Sequence, residues 1–283
     1  MVAVVIVTFS AEAAMLDACI ASTLMGGDAD HVILVDNGGR ATADSNVDVV
    51  RPSRNMGFGG GANAGFHRAL ELGATAVALL NDDIEVDPGW LAPLLAALDS
   101  DPTLGAVQPK LLIAGSDPVR VNSLGVVVGD DGAGRDIGFD ELDGPQFAND
   151  RQIDAFTGGA VLFRSKFLQA TGGFDESYFL YYEDLDLARR GAALGWTYRC
   201  VPAGVVRHRV SASTKQLGDR ARYLQERNRL RFAFRYGDVA TIGRALWLSI
   251  RRVRWSPRGA HTRALLAGIG LAPRALLARR RAR

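Results

Sequence analysis

The chain has 283 residues, a formal net charge of +2 at neutral pH, 48% hydrophobic and 23% charged residues, which excludes a disordered chain and allows one large core. Two cysteines, Cys19 and Cys200, exclude a disulfide scaffold and suit a reducing compartment. No signal-type leader and no run of about 18 apolar residues is found, so a cytoplasmic protein is expected.

In chain order, residues 2–9 form an apolar run that reads as a strand, and residues 12–24 have helical spacing. Residues 31–35 are β-branched and lead into Asp36-Asn37-Gly38-Gly39, and residues 47–51 make another short strand. A helix over 62–72, a strand over 74–80, a helix opened by Pro88 over 88–98 and a strand over 105–112 follow. This alternation predicts an α/β fold with a mainly parallel sheet flanked by helices. Residues 113–154 turn to Gly, Asp and Pro, with only 124–128 strand-like, and read as a loop-rich insertion over the site. Then come a strand at 160–164, a helix at 166–171, a helix at about 184–194, strands at 196–201 and 205–207, and a long helix at 219–236.

The most informative run is Leu79-Leu80-Asn81-Asp82-Asp83. Carboxylates at the carboxyl end of a parallel strand open into the crevice where α/β proteins bind ligands. Adjacent unpaired carboxylates repel, and a divalent cation removes that cost while leaving room for phosphate oxygens. A solvated acidic turn is the plain alternative. Residues 55–65, rich in glycine between strand and helix, would let backbone approach an anion at a helix N-terminus. Asp36-Asn37 repeats the strand-end acid, as a nucleoside contact or as an Asx turn.

The run from Tyr178 to Leu187 places four aromatics before Glu183, Asp184 and Asp186. An apolar approach desolvates a carboxylate and raises its pKa, as a general base needs, and aromatic faces can stack on sugar rings. The plain alternatives are helix capping and an Asp186–Arg190 pair at i,i+4. His208 ends a strand and could supplement a metal site, with Ser211, Ser213 and Thr214 donating to phosphate.

In order, these motifs resemble those of the inverting, nucleotide-sugar-dependent glycosyltransferases of family 2, in particular their bacterial rhamnosyltransferase-like branch. The matches over residues 2–214 are Val-Thr-Phe-Ser at 7–10, Val-Asp-Asn-Gly at 35–38, Asn-x-Gly-Phe at 55–58, and Asn-Asp-Asp at 81–83. Further along stand Thr-Gly-Gly-Ala at 157–160, Gly-Gly-Phe-Asp at 172–175, the aromatic-acidic run at 179–187, Gly-Trp at 195–196, and His208 with Ser213-Thr214. The resemblance implies a GT-A fold over residues 1–238, with a donor half to about 112 and an acceptor half beyond it. It implies nucleotide-sugar contacts from Thr8, Phe9, Asp36, Asn37, Asn55, Gly57, Asn63, Asn81, Asp82 and Asp83. It also implies Mg²⁺ or Mn²⁺ on Asp83 and His208, Asp184 as base, and acceptor contacts from Gly158, Gly159, Tyr182 and Glu183. Ser10, Arg207 and Arg209 depart from common family patterns.

The implied reaction moves a sugar, L-rhamnose from a dTDP donor in the first instance, to a glycan, lipid-linked or small-molecule acceptor in cell-wall or polysaccharide assembly. A nucleotidyltransferase would need a basic glycine loop near the N-terminus, which residues 8–11 are not. A non-catalytic scaffold would not need Asp83, Asp184 and His208 together. After Asp238 there are eleven arginines and no acid, which leaves the first 238 residues at −9 (2 − 11). That acidic body opposes nucleic-acid binding. Residues 239–283 read as an amphipathic helical tail for an anionic membrane surface, or as helices packed on the body or in a homodimer contact.

Overall fold

A run of residues that are all β-branched except Ala3, 2–8, lies inside the sheet with both of its faces covered. In the computed structural model, which describes all residues except 40, 42–45, 210–211, 256–258 and 282–283, this run is β1 (Val2–Thr8). Its odd residues Ala3, Val5 and Val7 enter one core and its even residues Val4 and Ile6 the other, as the two-residue period of a strand requires. Helix α1 (Ala13–Met25) covers the second face, and β2 (His31–Asp36) and β3 (Asp48–Val50) extend the sheet in parallel.

Helix α2 (Gly57–Glu71) returns across the first face to β4 (Ala76–Asn81), which pairs in parallel with β1 on its other side. The helix begins at Gly57, not at 62: the glycine run forms its first turns rather than a loop before it. The cause is close packing. A Cβ on Gly65 would lie 2.3 Å from Val5 Cγ1, and Gly57, at φ +74°, would drive one to 2.2 Å from the Phe179 carbonyl.

A short strand β5 (Ile84–Val86), helix α3 (Leu91–Ser100) and strand β6 (Leu104–Ile113) follow. β6 does not pair with β4. Strand β11 (Ala160–Arg164) lies between them, antiparallel to both, and β12 (Thr197–His208) continues beyond β6 in parallel. The two strands expected at 196–201 and 205–207 are this one strand, with a bulge between Val201 and Val205. The edge is β10 (Arg151–Ile153), giving the order β10-β12-β6-β11-β4-β1-β2-β3. Helices α4 (Ser165–Thr171) and α5 (Glu183–Ala193) cover the first face, where Phe66, Phe156, Phe163, Phe167 and Phe174 interlock.

The insertion is more ordered than its composition suggests. β7 (Val121–Ser123) pairs with β6, and β8 (Val126–Val128) forms a hairpin with β9 (Gly134–Asp136). Gly125, at φ +112°, divides the single strand expected over 124–128. The hairpin turn docks on α6 (Ala212–Tyr236) and α7 (Val239–Trp255), where Arg229 and Arg244 donate to the Asp131 and Asp130 carbonyls at 2.8 and 3.0 Å.

The tail is α7 and α8 (Ala260–Arg281), and its inner side packs on α6 around Leu230, Ala233, Phe234, Ala245 and Ala275. The expected helix start at 219 lies just past a kink at Gly218, and the helix extends back to Ala212. No described helix is long and apolar enough to cross a membrane.

Candidate active site

The register of the sheet assembles the site. β1 ends at Thr8 beside Asp36 of β2, and Val7 lies beside Asn81 of β4, so three strand ends share one edge. β5 pairs antiparallel with β12 and sets His208 opposite Ile84, one residue from Asp83. Asp83 Oδ1 and His208 Nε2 come within 3.0 Å. His208 Nδ1 is 2.8 Å from Asn122 Oδ1 on β7, and this contact holds the ring with its Nε2 toward Asp83. Asn122 lies in the insertion, where nothing in the sequence pattern marked it.

These groups face a cleft of about 620 Å³. Its floor carries Asn81, Asp83, Gly158, Gly159, Asp184 and His208; the hairpin β8–β9 adds Asp136, and the aromatic segment adds Tyr181 and Tyr182. Glu183 opens on the same space.

Other expected contacts lie outside the cleft lining. Asn63 is buried and holds α2 to the turn at 174–176: it accepts from Phe174 N at 2.8 Å and donates to the Phe174 carbonyl at 2.9 Å. Asn37 and Asn55 tie down the start of α2: Asn37 accepts from Met56 N and donates to the Gly57 carbonyl, and Asn55 accepts from Gly57 N. Asp36 is buried and accepts from Ala41 N and Arg51. Thr8, Phe9 and Asp82 share the strand-end edge, where Asp82 is pushed up to about 6 by burial although the Thr8 hydroxyl bonds it. Phe9 is exposed there. Ser211 lies outside the described residues, as do the side chains of Ser213 and Thr214.

The three acids of the aromatic run divide sharply. Asp186 is fully buried and fully partnered, by Arg190, Arg235 and the hydroxyls of Tyr178 and Tyr236. It anchors α5 and is sealed from substrate. Glu183 is buried with Oε2 unbonded, and burial beside the Asp184 charge pushes its carboxyl well above the usual range. Asp184 accepts from Gly158 N at 3.1 Å and Leu185 N at 2.8 Å. Burial pushes it up to about 6 against those two bonds, and Asp136 adds to the rise. Asp136 reaches open space, yet the cleft walls desolvate it enough to raise its carboxyl too.

The aromatics also divide: Tyr178 is core under Arg231, whereas Tyr181 and Tyr182 reach the cleft. Phe179, Tyr181 and Tyr182 all sit at φ near +70°, a conformation that costs of order 1–3 kcal/mol per residue and needs outside support. Asn228 on α6 gives it, donating to the carbonyls of Tyr178, Leu180 and Tyr181 at 2.8–3.0 Å. No local pattern marks this clamp, since its partners are backbone atoms about fifty residues away.

Can these residues hold a divalent cation? Asp83 Oδ1 and Asn81 Oδ1 are buried without a hydrogen-bond partner, and Asp83 Oδ1 meets the imidazole nitrogen at the cleft floor. One carboxylate and one imidazole with open space beside them fit Mg²⁺ or Mn²⁺ that also takes phosphate oxygens. The Asn122 bond supplies the outer partner that metal-binding histidines have.

The chain matches "Glycosyl transferase family 2" over residues 3–123 and "Glycosyl transferase family group 2" over residues 76–277. It therefore belongs to the family 2 glycosyltransferases. A curated relative from Mycobacterium tuberculosis, N-acetylglucosaminyl-diphospho-decaprenol L-rhamnosyltransferase, is 26% identical over 262 residues, 81% of this chain and 80% of the relative. Two solved structures share the GT-A fold. One is GalNAc-T7 with UDP, GalNAc and Mn²⁺ (TM-score 0.65, 15% identity, 89% of this chain and 50% of that one). The other is the mannosyltransferase PcManGT from Pyrobaculum calidifontis with GDP-Man and Mn²⁺ (TM-score 0.53, 17% identity, 99% and 73%).

Replacing Asn122 with Ala should weaken Mn²⁺ binding in the presence of a nucleoside diphosphate by roughly 10–100-fold, the usual cost of losing an outer partner, and Asp83→Ala should abolish it. Paramagnetic titration of Mn²⁺ decides this. Wild-type affinity in Asp83→Ala would remove the metal from this pair.

Proposed function

We propose that this enzyme transfers a sugar from a nucleoside diphosphate to an acceptor hydroxyl with inversion at the anomeric carbon. The observation that carries the reading is a desolvated carboxylate at the start of α5, Asp184, held by Gly158 N and sharing a cleft with the Asp83–His208 pair. The L-rhamnosyltransferase relative supports L-rhamnose as the donor sugar, for which the motif resemblance suggests dTDP as carrier, and its acceptor name supports a lipid-linked sugar diphosphate as acceptor. The Mn²⁺ complexes of the two GT-A structures support a divalent metal.

In this mechanism Thr8, Phe9, Asp36 and Asp82 at the strand ends hold the nucleoside, with residues 55–63 shaping its surroundings. Asn81, Asp83 and His208 face the diphosphate. When bound, Mg²⁺ or Mn²⁺ held by Asp83 and His208 supplies positive charge for the leaving diphosphate. Asp184 takes the proton of the acceptor hydroxyl as its oxygen bonds the anomeric carbon and the bond to the diphosphate oxygen breaks. Glu183, Gly158, Gly159 and Tyr182 line the acceptor's side. The products are the glycoside and the nucleoside diphosphate.

Asp184→Asn should bind the dTDP sugar with wild-type affinity and lose roughly 10²–10⁴-fold in kcat, the usual contribution of a general base. Because Asp184 must be ionised to act, wild-type kcat/KM for the acceptor should fall about tenfold per pH unit below about 6 and level off above it. Transfer assays with Mn²⁺, combined with donor calorimetry, check both. A variant with wild-type turnover, or one that loses donor binding instead, would remove Asp184 as base.

We further propose that the enzyme sits peripherally on the inner face of the plasma membrane. The tail's outer side exposes Trp247 and Ile250 on α7 and Leu266, Ile269 and Leu277 on α8, among Arg251, Arg254, Arg263 and Arg274. Each arginine near an anionic surface contributes about 1 kcal/mol, and the apolar side chains add burial. In vesicle co-sedimentation the protein should bind phosphatidylglycerol vesicles and not phosphatidylcholine, and Trp247→Ser/Leu266→Ser should weaken binding at least about tenfold. Indifference to lipid charge would overturn this; a dimer that the same substitutions split would assign the face to a homodimer contact.

A further inference from the structure

The tail does more than coat the body: α7 contributes a side chain to the cleft. Arg252 lines the same space as Asp184, next to Gln225, Glu226 and Arg229 of α6. Glu226 is buried, and burial alone would raise its carboxyl. The Arg229 guanidinium, the Ser249 hydroxyl and Arg252 hold it below the usual range instead. Arg229 forks onto Glu226 at 2.8 and 3.3 Å and also donates to Ser249 and to the Asp131 and Ala245 carbonyls. Its side chain is 3% exposed, against 40% for Arg252, which touches Glu226 through Nη1. The sealed pair Arg229–Glu226 is neutral, so Arg252 gives this part of the cleft a net charge of +1. Elsewhere the lining carries the acids Asp83, Asp136, Glu183 and Asp184, and apart from the sealed Arg229 its other basic group among the described residues is His208 beside Asp83.

An open guanidinium beside a sealed, already neutral pair is suited to an anion. The donor's phosphates have their own place beside Asp83 and His208. We infer that Arg252 binds a phosphate or diphosphate carried by the acceptor, so that the acceptor is recognised as an anionic glycolipid rather than as a neutral glycan. This rests on the glycosyltransferase reading and adds to it a residue of the tail as an acceptor-binding group. It also places the acceptor's anion on the helix that turns Trp247 and Ile250 outward, so that an alkyl chain attached to the phosphate has an apolar surface beside it.

The test is calorimetric titration of octyl diphosphate into the full-length protein saturated with dTDP and Mn²⁺. The wild type should bind it, Arg252→Gln should bind at least about tenfold more weakly, and Arg252→Lys, which keeps a cation beside Glu226, should fall between them. Arg252→Lys carries the test if Arg252→Gln does not fold. Three results overturn the inference: no binding to the wild type, equal binding to the variants, or a loss matched by an equal loss of dTDP affinity. A protein that binds octyl diphosphate through Arg252 yet turns over no nucleotide sugar would refute the enzymatic reading and leave the anion site standing. Inorganic diphosphate run in parallel separates the lipid-borne anion from a free one, and equal affinity for the two would also overturn the assignment to a glycolipid.

Discussion

Carboxylates crowd the strand ends and the start of α5 around this cleft, several of them buried, and a buried charge is tolerated only when something compensates it. Each acid meets that constraint differently. Asp186 is compensated by two arginines and two tyrosine hydroxyls. Asp83 faces the His208 imidazole, and Asp82 turns to the Thr8 hydroxyl. Burial pushes the Glu183 carboxyl well above its usual range, toward the uncharged form. Asp184 has only two backbone N–H groups and opens on the cleft. The division of labour among acids a few residues apart therefore comes from their partners, not from their chemical type.

Those partners come from distant parts of the chain, which explains why the helices and the insertion cannot be read as decoration on the sheet. Arg235 and Tyr236 reach Asp186 from the end of α6, and Asn228 on the same helix fixes the strained segment from Phe179 to Tyr182 that aims α5. The insertion supplies Asn122 behind His208 and Asp136 across from Asp184. Helix α7 then closes the arrangement by gripping the hairpin at Asp130 and lending Arg252 to the cleft. The order of construction is sheet register first, then α5 and α6, then the tail.

Much of this was legible in the sequence because it depends on local pattern. The strand-end acids at 36 and 81–83, the aromatic approach to Asp184 and the histidine closing a strand all carry their signal within a few residues. The sheet was legible up to β6, whose true neighbour β11 arrives about fifty residues later, a pairing that periodicity cannot see. Asn37, Asn55 and Asn63 were legible as motif positions, but their bonds to Met56, Gly57 and Phe174 serve the local fold. The glycine run was legible as close approach, although what approaches includes Val5 and the Phe179 backbone. Asn122, Asn228 and Arg252 stayed hidden, since a lone Asn or one arginine among eleven gives no pattern.

If Asp184 alone is free to act, the sugar is displaced in one step from the face opposite the diphosphate, and no glycosyl-enzyme forms. The direct test is proton NMR of the glycoside made from a donor of known anomeric configuration, read before the product can equilibrate. The account predicts the opposite configuration in the product. A product that retains the donor's configuration would require a second nucleophile in this cleft and would contradict the assignment of Asp184.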